Sequence, residues 1–272
     1  MEKPWNTVTI DNWNDFEKKV EKLTYRKWVF RGQSDSSWGI KSSLYRLFED
    51  FQLLFKEYKG RKRKFAKDKH ERLLIEKFQA SAHHFIDHLP DQEDLLEWCA
   101  IMQHYGAPTR LIDVTFSPFI ALYFALESGH KDCSVFAIKP QHFTSIDKEV
   151  IETDDYSKFI FKPGFGSGNE AFFIPYEPKR TNPRLMVQQG LFLVPSTNYQ
   201  TLDKIISLYE DCESACIQFI IPARLRYEGV RLLRRMNITA SVLFPGIEGF
   251  CKSLRYQVVD TIDQLKRMGE DS

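Results

Sequence analysis

An arginine directly after Trp28, Val29 and Phe30 is an unusual place to keep a charge. Tryptophan, valine and phenylalanine favour strands, and the following Gly32 permits a tight turn or a close approach to a ligand. The stretch "KWVFRGQ" therefore reads as a buried strand that delivers one guanidinium to its end. Arginine cannot shed its charge, so Arg31 needs an anion or a carboxylate. A second concentration of reactive side chains lies in "MQHYGAPTRLIDVTFSPFIALYFAL", with His104, Thr109, Arg110, Asp113, Thr115 and Ser117 at a helix-to-strand-to-helix crossing. Strand ends and helix starts are where polar side chains and free backbone N–H groups converge. Asp113, between Leu111-Ile112 and Val114, requires a cation, and Arg31 and Arg110 are the candidates. Arg31 either pairs with Asp113 and fixes the fold or holds an anionic ligand, and residue types leave both open. Ser117 has a structural explanation as the N-cap of a helix that Pro118 begins. His104, at a helix end, gains from the dipole and titrates near neutrality, which suits a pocket wall or a base.

Other clusters carry less. His84 and His88 are expected on one helix face beside His83, but no glutamate and no third ligand accompany them. Cys212 and Cys216 in "CESAC" have no second Cys/His pair at ligand spacing, so no metal is expected. The glycine-rich "GFGSGN" opens into "EAFFIPY" rather than a helix, so it reads as a mobile flap over a site and not as a phosphate cradle. Residues 59 to 72 carry eight Lys/Arg against Asp68 and Glu71. Such a run is usually a solvated face or loop, and it could touch nucleic acid or an acidic protein with salt-dependent affinity.

The elements that must position these groups follow from periodicity and punctuation. An amphipathic helix starts at Asp11 or Asn12 and carries Trp13, Phe16, Val20 and Leu23 on one face. After the Trp28–Gly32 strand comes a short helix near Ser43 to Phe51, a helix over 73–89 ended by Pro90, and another from about Asp91 to Gly106. "TRLIDVT", "CSVFAIKP", "MVQQGLFLVPS" and "CIQFIIPA" read as strands, with helices at "SPFIALYFALES", "TLDKIISLYED" and "RLRYEGVRLLRRMN". Residues 162 to 183 read as loop. The 272 residues are 43% hydrophobic and 14% aromatic, enough for a substantial core, and show no repeat or long linker. One α+β domain is expected, a mixed or antiparallel sheet flanked by helices. The formal net charge of +1 points to neither a nucleic-acid nor a membrane partner. An odd set of five scattered cysteines, no secretory pattern at the start and no long apolar run predict a cytoplasmic protein with free thiols and no membrane span.

The blocks "FRGQ…W…SLYR", "QHYGAPTRLIDVTFSPFIALYFA", "RLMVQQGLF" and "LFPGIEG" together resemble the FRG domain, whose Phe/Tyr-Arg-Gly motif is reproduced by Phe30, Arg31 and Gly32. The resemblance runs from about residue 27 to 255, and the family's spread among bacteria and phages implies a phage-defence or toxin-like setting. A weaker resemblance is to ADP-ribosyltransferases. In the arginine-type branch an early strand arginine holds the dinucleotide, a Ser-Thr-Ser strand braces the nicotinamide pocket, and a late-strand glutamate acts on the ribose. Arg31 matches the first and Thr115 with Ser117 approximately the second. The third departs, because Gln188 and Gln189 stand where a glutamate is expected, and a neutral amide does not stabilise an oxocarbenium-like centre as a carboxylate does. Asp113 or Glu248 is left to supply that charge.

These resemblances imply a split-sheet arrangement and an enzyme that uses NAD, either transferring ADP-ribose to a macromolecular acceptor or cleaving NAD. Arg31, Asp113 and Gln189 are then the candidate catalytic residues. Gln33, His104, Tyr105, Thr115, Ser117 and Gln188, with Arg31, are the candidate substrate contacts. The competing reading is a non-catalytic module that binds a nucleotide or a partner. The four polar positions Arg31, Asp113, Thr115 and Gln189 are expected around one pocket.

Overall fold

The computed structural model describes residues 4–59, 66–144, 160–162, 168–257 and 261. Its strands are β1 (Asn6–Thr9), β2 (Val29–Gln33), β3 (Ile112–Thr115), β4 (Cys133–Ile138), β5 (Phe173–Tyr176), β6 (Gly190–Pro195) and β7 (Cys216–Ile221). They form one seven-stranded sheet in the order β1-β7-β4-β2-β3-β6-β5. β1 runs parallel to β7 and every other neighbouring pair is antiparallel, so the expected α+β architecture with a mixed sheet is what the chain adopts.

The sheet is not uniformly stitched. β2 pairs with β4 at five positions, from Val29 opposite Ile138 to Gln33 opposite Ser134. It meets β3 at one, Phe30 opposite Thr115. The strands β1-β7-β4-β2 and β3-β6-β5 are thus two half-sheets that touch at a point and part beside it.

Helices cover both faces. On one side lie α1 (Trp13–Glu21), α5 (Pro118–Leu126) and α8 (Arg226–Arg235), packed through Phe16, Ile120, Ala121 and Leu233 onto Phe30, Val135 and Phe219. On the other, α7 (Leu202–Ile206) packs with Val29, Ile112, Val114, Phe136 and Leu193. A third cluster joins α3 (Lys67–Ala82) and α4 (Leu95–His104) to Phe172, Ile174, Phe192 and Val194 of the β5–β6 edge. β4 is buried at all six positions, which is why "CSVFAI" is continuously apolar instead of alternating.

Several boundaries differ from the sequence expectation. β1 and β5 were not expected. β5 hides in a proline-rich stretch because Pro175 sits on an edge strand, where a missing N–H costs little. The helix α2 (Ser43–Lys59) runs well past Phe51. α3 begins inside the basic stretch and ends at Ala82, so His83, His84 and His88 follow the helix and do not share a face of it. Among the described residues no group of His, Cys, Asp or Glu is arranged to hold a metal ion, and no helix is long and apolar enough to cross a membrane. All five cysteines are free. Burial pushes the Cys133 thiol up to about 11 and raises Cys99 and Cys216 too, so none of these three offers a thiolate at neutral pH.

The solvated reading of the basic stretch needs correction at Lys67. Residues 60–65 lie outside the described set, but Lys67 is buried and donates to the Asn198 carbonyl at 3.0 Å. Its ammonium sits over the rings of Tyr45, Tyr199 and Phe48 at 4.6, 5.4 and 5.6 Å. Among the described residues of the stretch, Lys69, His70 and Arg72 face solvent while Lys67 and Glu71 are buried. A helix that leans on the core must bury one face whatever its mean charge. Of the glycine-rich flap, residues 163–167 lie outside the described set.

Candidate active-site cleft

Where the half-sheets part, a cavity of about 280 Å³ opens between β2 and β3. Phe30, Arg31 and Gly32 form one wall and Asp113, Val114 and Thr115 the facing one. α5 closes the bottom with Ala121 and Phe124, α4 contributes Gln103 and His104, and the chain entering β6 contributes Asn182, Arg184, Leu185 and Gln188. The volume lies near the lower end of small-molecule sites, about 300–1,000 Å³.

Arg31 dominates this space. Its Nη1 donates to the Asp113 backbone carbonyl at 2.6 Å, bridging two strands that the backbone ladder leaves apart. The Asp113 carboxylate is farther, 4.0 Å from Nη1, and its side chain is 67% exposed against 17% for Arg31. The expected buried ion pair is therefore a loose contact at the cleft mouth. The Arg31 Nε is buried with no hydrogen-bond partner. Burial lowers the Arg31 pKa, Asp113 opposes that, and the charge of Arg46 adds to it. A guanidinium with open donors, held in a wedge and beside another cation, is poised for an anion.

Gly32 answers a different need from the one its sequence suggested. A Cβ there would stand 2.0 Å from the Ala121 carbonyl oxygen and 2.6 Å from the Ala125 nitrogen. The close approach is to α5, not to a ligand.

The remaining expected site residues divide. Thr115 is buried in the cleft wall, donating to the Gln188 carbonyl at 2.7 Å and accepting from the Ser117 N–H at 3.0 Å. Gln188 also lines the cleft, and its Nε2 donates to the Leu243 carbonyl at 3.0 Å. Gln189 does not line it, so the expected foursome is corrected to Arg31, Asp113, Thr115 and Gln188. The reason is local: Asn182 and Pro183 start a short helix, α6 (Pro183–Val187), so Gln188 is its C-cap and Gln189 turns at φ +47°. Neither is a strand residue, and the alternation expected of them does not apply. Ser117 caps α5, accepting from the Ile120 N–H at 3.3 Å, and lies outside the cavity wall. Gln33, which donates to the Gly39 carbonyl at 3.4 Å, and the exposed Tyr105 lie outside it as well.

Gln103, Phe124, Asn182 and Arg184 belong to the cleft and were not singled out from the sequence. The Asn-Pro pair was a helix-start signal that could have revealed α6. Glu248, at the start of α9 (Ile247–Ser253), has its pKa lowered by its hydrogen bond to Lys252, with the charges of Lys252 and Arg184 adding to it. The pKa of His104 is lowered by burial and then by Arg184, with Glu248 opposing, which leaves a neutral imidazole at pH 7.

Residues 26–133 match the family model of the FRG domain. The chain carries an FRG domain. No curated protein and no solved structure matches it. The three residues of the FRG signature now have separate physical tasks. Phe30 supplies the single paired position between the half-sheets and core packing, Arg31 fills the wedge, and Gly32 admits α5. The match ends at the first residue of β4, so "RLMVQQGLF" and "LFPGIEG" lie beyond it. Even so, they supply Arg184, Gln188 and Leu191 to the cleft wall and Glu248 to its surroundings.

Proposed function

We propose that the FRG domain binds NAD in the cleft between its half-sheets and either transfers ADP-ribose to a macromolecular acceptor or hydrolyses NAD. The observation that carries this reading is Arg31, set in the parting of the sheet with a buried, unpartnered Nε and one backbone contact. An early-strand arginine in a split sheet is also what the resemblance to ADP-ribosyltransferases implies. The cavity size suits one end of a dinucleotide, with the apolar Phe30, Phe124 and Leu191 available to the nicotinamide ring, the diphosphate at Arg31 and the adenosine outside.

In this reading Arg31 binds the diphosphate as a bidentate donor. The bond between nicotinamide and ribose C1′ breaks, nicotinamide leaves with the bonding electrons, and C1′ bonds to an acceptor oxygen or nitrogen, or to water. The acceptor's proton passes to solvent or to neutral His104. Asp113 at the cleft mouth, with Glu248 nearby, supplies the negative charge that favours an oxocarbenium-like centre.

A second reading, a nucleotide-binding module without turnover, is favoured by one specific feature. Among the described residues Asp113 is the one carboxylate that lines the cleft, and it is largely solvated. Release of nicotinamide from NAD by the purified chain decides between the two. Turnover that disappears in Arg31→Ala and falls at least tenfold in Asp113→Asn supports the enzyme. NAD binding without nicotinamide release, with and without candidate acceptors, supports the module. Absence of both overturns the NAD reading.

A further inference from the structure

Arg184 is a second guanidinium in the same cleft, contributed by α6 from outside the span of the family match. Its Cζ lies 4.6 Å from the centroid of the buried Phe244 ring. Stacking on an aromatic face fixes the plane of the group and leaves its in-plane N–H donors free. No hydrogen bond or ion pair joins the Arg184 guanidinium to any described residue; its neighbours Glu248 and His104 respond to its charge only at a distance. Glu248 is itself engaged by Lys252 at 2.9 Å. His104, which lines the same cavity, is held neutral at pH 7 by burial and by the charge of Arg184, and adds no charge. The same cavity is lined by Arg31, whose Nη1 is used once and whose Nε is unpartnered.

Two fixed cations with open donors therefore share one cavity, and the nearest carboxylates satisfy neither. We propose that Arg184 is a second anion-binding residue, acting with Arg31, and that the cleft selects a nucleoside diphosphate group over a single phosphate. This inference rests on the reading of the cleft as a nucleotide site but not on any turnover there. A diphosphate offers two adjacent anionic groups, one for each fork, whereas a monophosphate satisfies one and leaves the other without a counter-charge.

Calorimetric titration of the full chain with ADP and with AMP tests it. ADP should bind the wild type at least about tenfold more tightly than AMP, the scale expected for one further charge-assisted hydrogen-bonded contact. Arg184→Gln should weaken ADP by roughly 10- to 100-fold and AMP by less than about threefold, erasing the preference. Lys69→Gln, which removes an exposed cation outside the cleft, should leave the preference intact. Thermal unfolding of each variant confirms folding, and Arg184→Lys provides a second substitution that keeps the charge but loses the fork. Equal affinity for ADP and AMP in the wild type, no binding of ADP, or an Arg184→Gln variant that keeps the preference would each overturn the proposal. Tight ADP binding by a chain that releases no nicotinamide from NAD would instead sink the transfer and cleavage chemistry and leave the diphosphate site standing.

Discussion

Arg110 and Arg31 are the same residue type on neighbouring parts of one fold, and they are treated in opposite ways. Arg110 is 2% exposed. It forms a two-pronged pair with Glu71, with Nε to Oε1 at 2.7 Å and Nη2 to Oε2, and its Nη1 donates to the carbonyls of Ile160, Pro195 and Ser196. Asn198 donates to the same Glu71 carboxylate. Burial pulls the Arg110 pKa down, but the charge and hydrogen bonds of Glu71 outweigh it and the group is raised overall. Arg31 has one backbone acceptor, a carboxylate at 4.0 Å and a buried nitrogen with nothing. A guanidinium whose donors are all consumed belongs to the fold, and one whose donors face a cavity is available to a ligand. Asp113, expected from the sequence to choose between the two arginines, contacts only Arg31 and that loosely.

Three substitutions put this contrast under strain, beginning with the largest effect. Glu71→Ala leaves Arg110 as an uncompensated buried charge and should cost about 3–5 kcal/mol in urea unfolding. A loss within about 1 kcal/mol would mean that the carbonyls alone satisfy Arg110.

Lys67→Ala belongs to the same closed region. It removes a hydrogen bond to the Asn198 carbonyl and an ammonium surrounded by three aromatic rings. A loss of about 1–3 kcal/mol is expected, against about 0.5 or less for the exposed Lys69→Ala. Equal melting temperatures for the two variants would restore the solvated view of the whole basic stretch.

Arg31→Lys should have the smallest effect on stability, about 1 kcal/mol or less, because one hydrogen bond is all that the fold loses. Its cost should fall on ligand binding, since an ammonium cannot replace the fork. Thermal unfolding with and without NAD separates the two. A strongly destabilised variant would move Arg31 into the class of Arg110, and one whose melting temperature still rises with NAD as in wild type would remove it from the site.

Much of the fold was legible because the signals that reveal it are local. Asn12 caps α1, its side chain accepting from the Asp15 N–H at 3.0 Å, and Ser117 with Pro118 starts α5 as expected. The continuous apolar runs of β4 and β6 needed no tertiary information to read as strands. The misreadings have equally local causes. β5 was masked by Pro175. "MVQQG" looked like the start of a strand because its apolar residues hid the Asn-Pro helix start before it. The basic stretch was judged on net charge, although a helix buries residues by face and not by average.

By itself the sequence determined the FRG signature, the class of fold and most of its elements, and it singled out Arg31, Asp113 and Thr115, which line one cleft, together with Gln189, which does not. Tertiary structure decided which arginine is spent and which is free, because hydrogen-bond saturation depends on partners far away in the chain. Glu71, Ile160, Pro195 and Ser196 converge on Arg110 from separate elements. It also decided that β2 and β3 part after one paired position, and that Arg184 lines the same cavity as Arg31. A strand's residues announce its existence, but where two strands separate is set by the helices and turns packed around them.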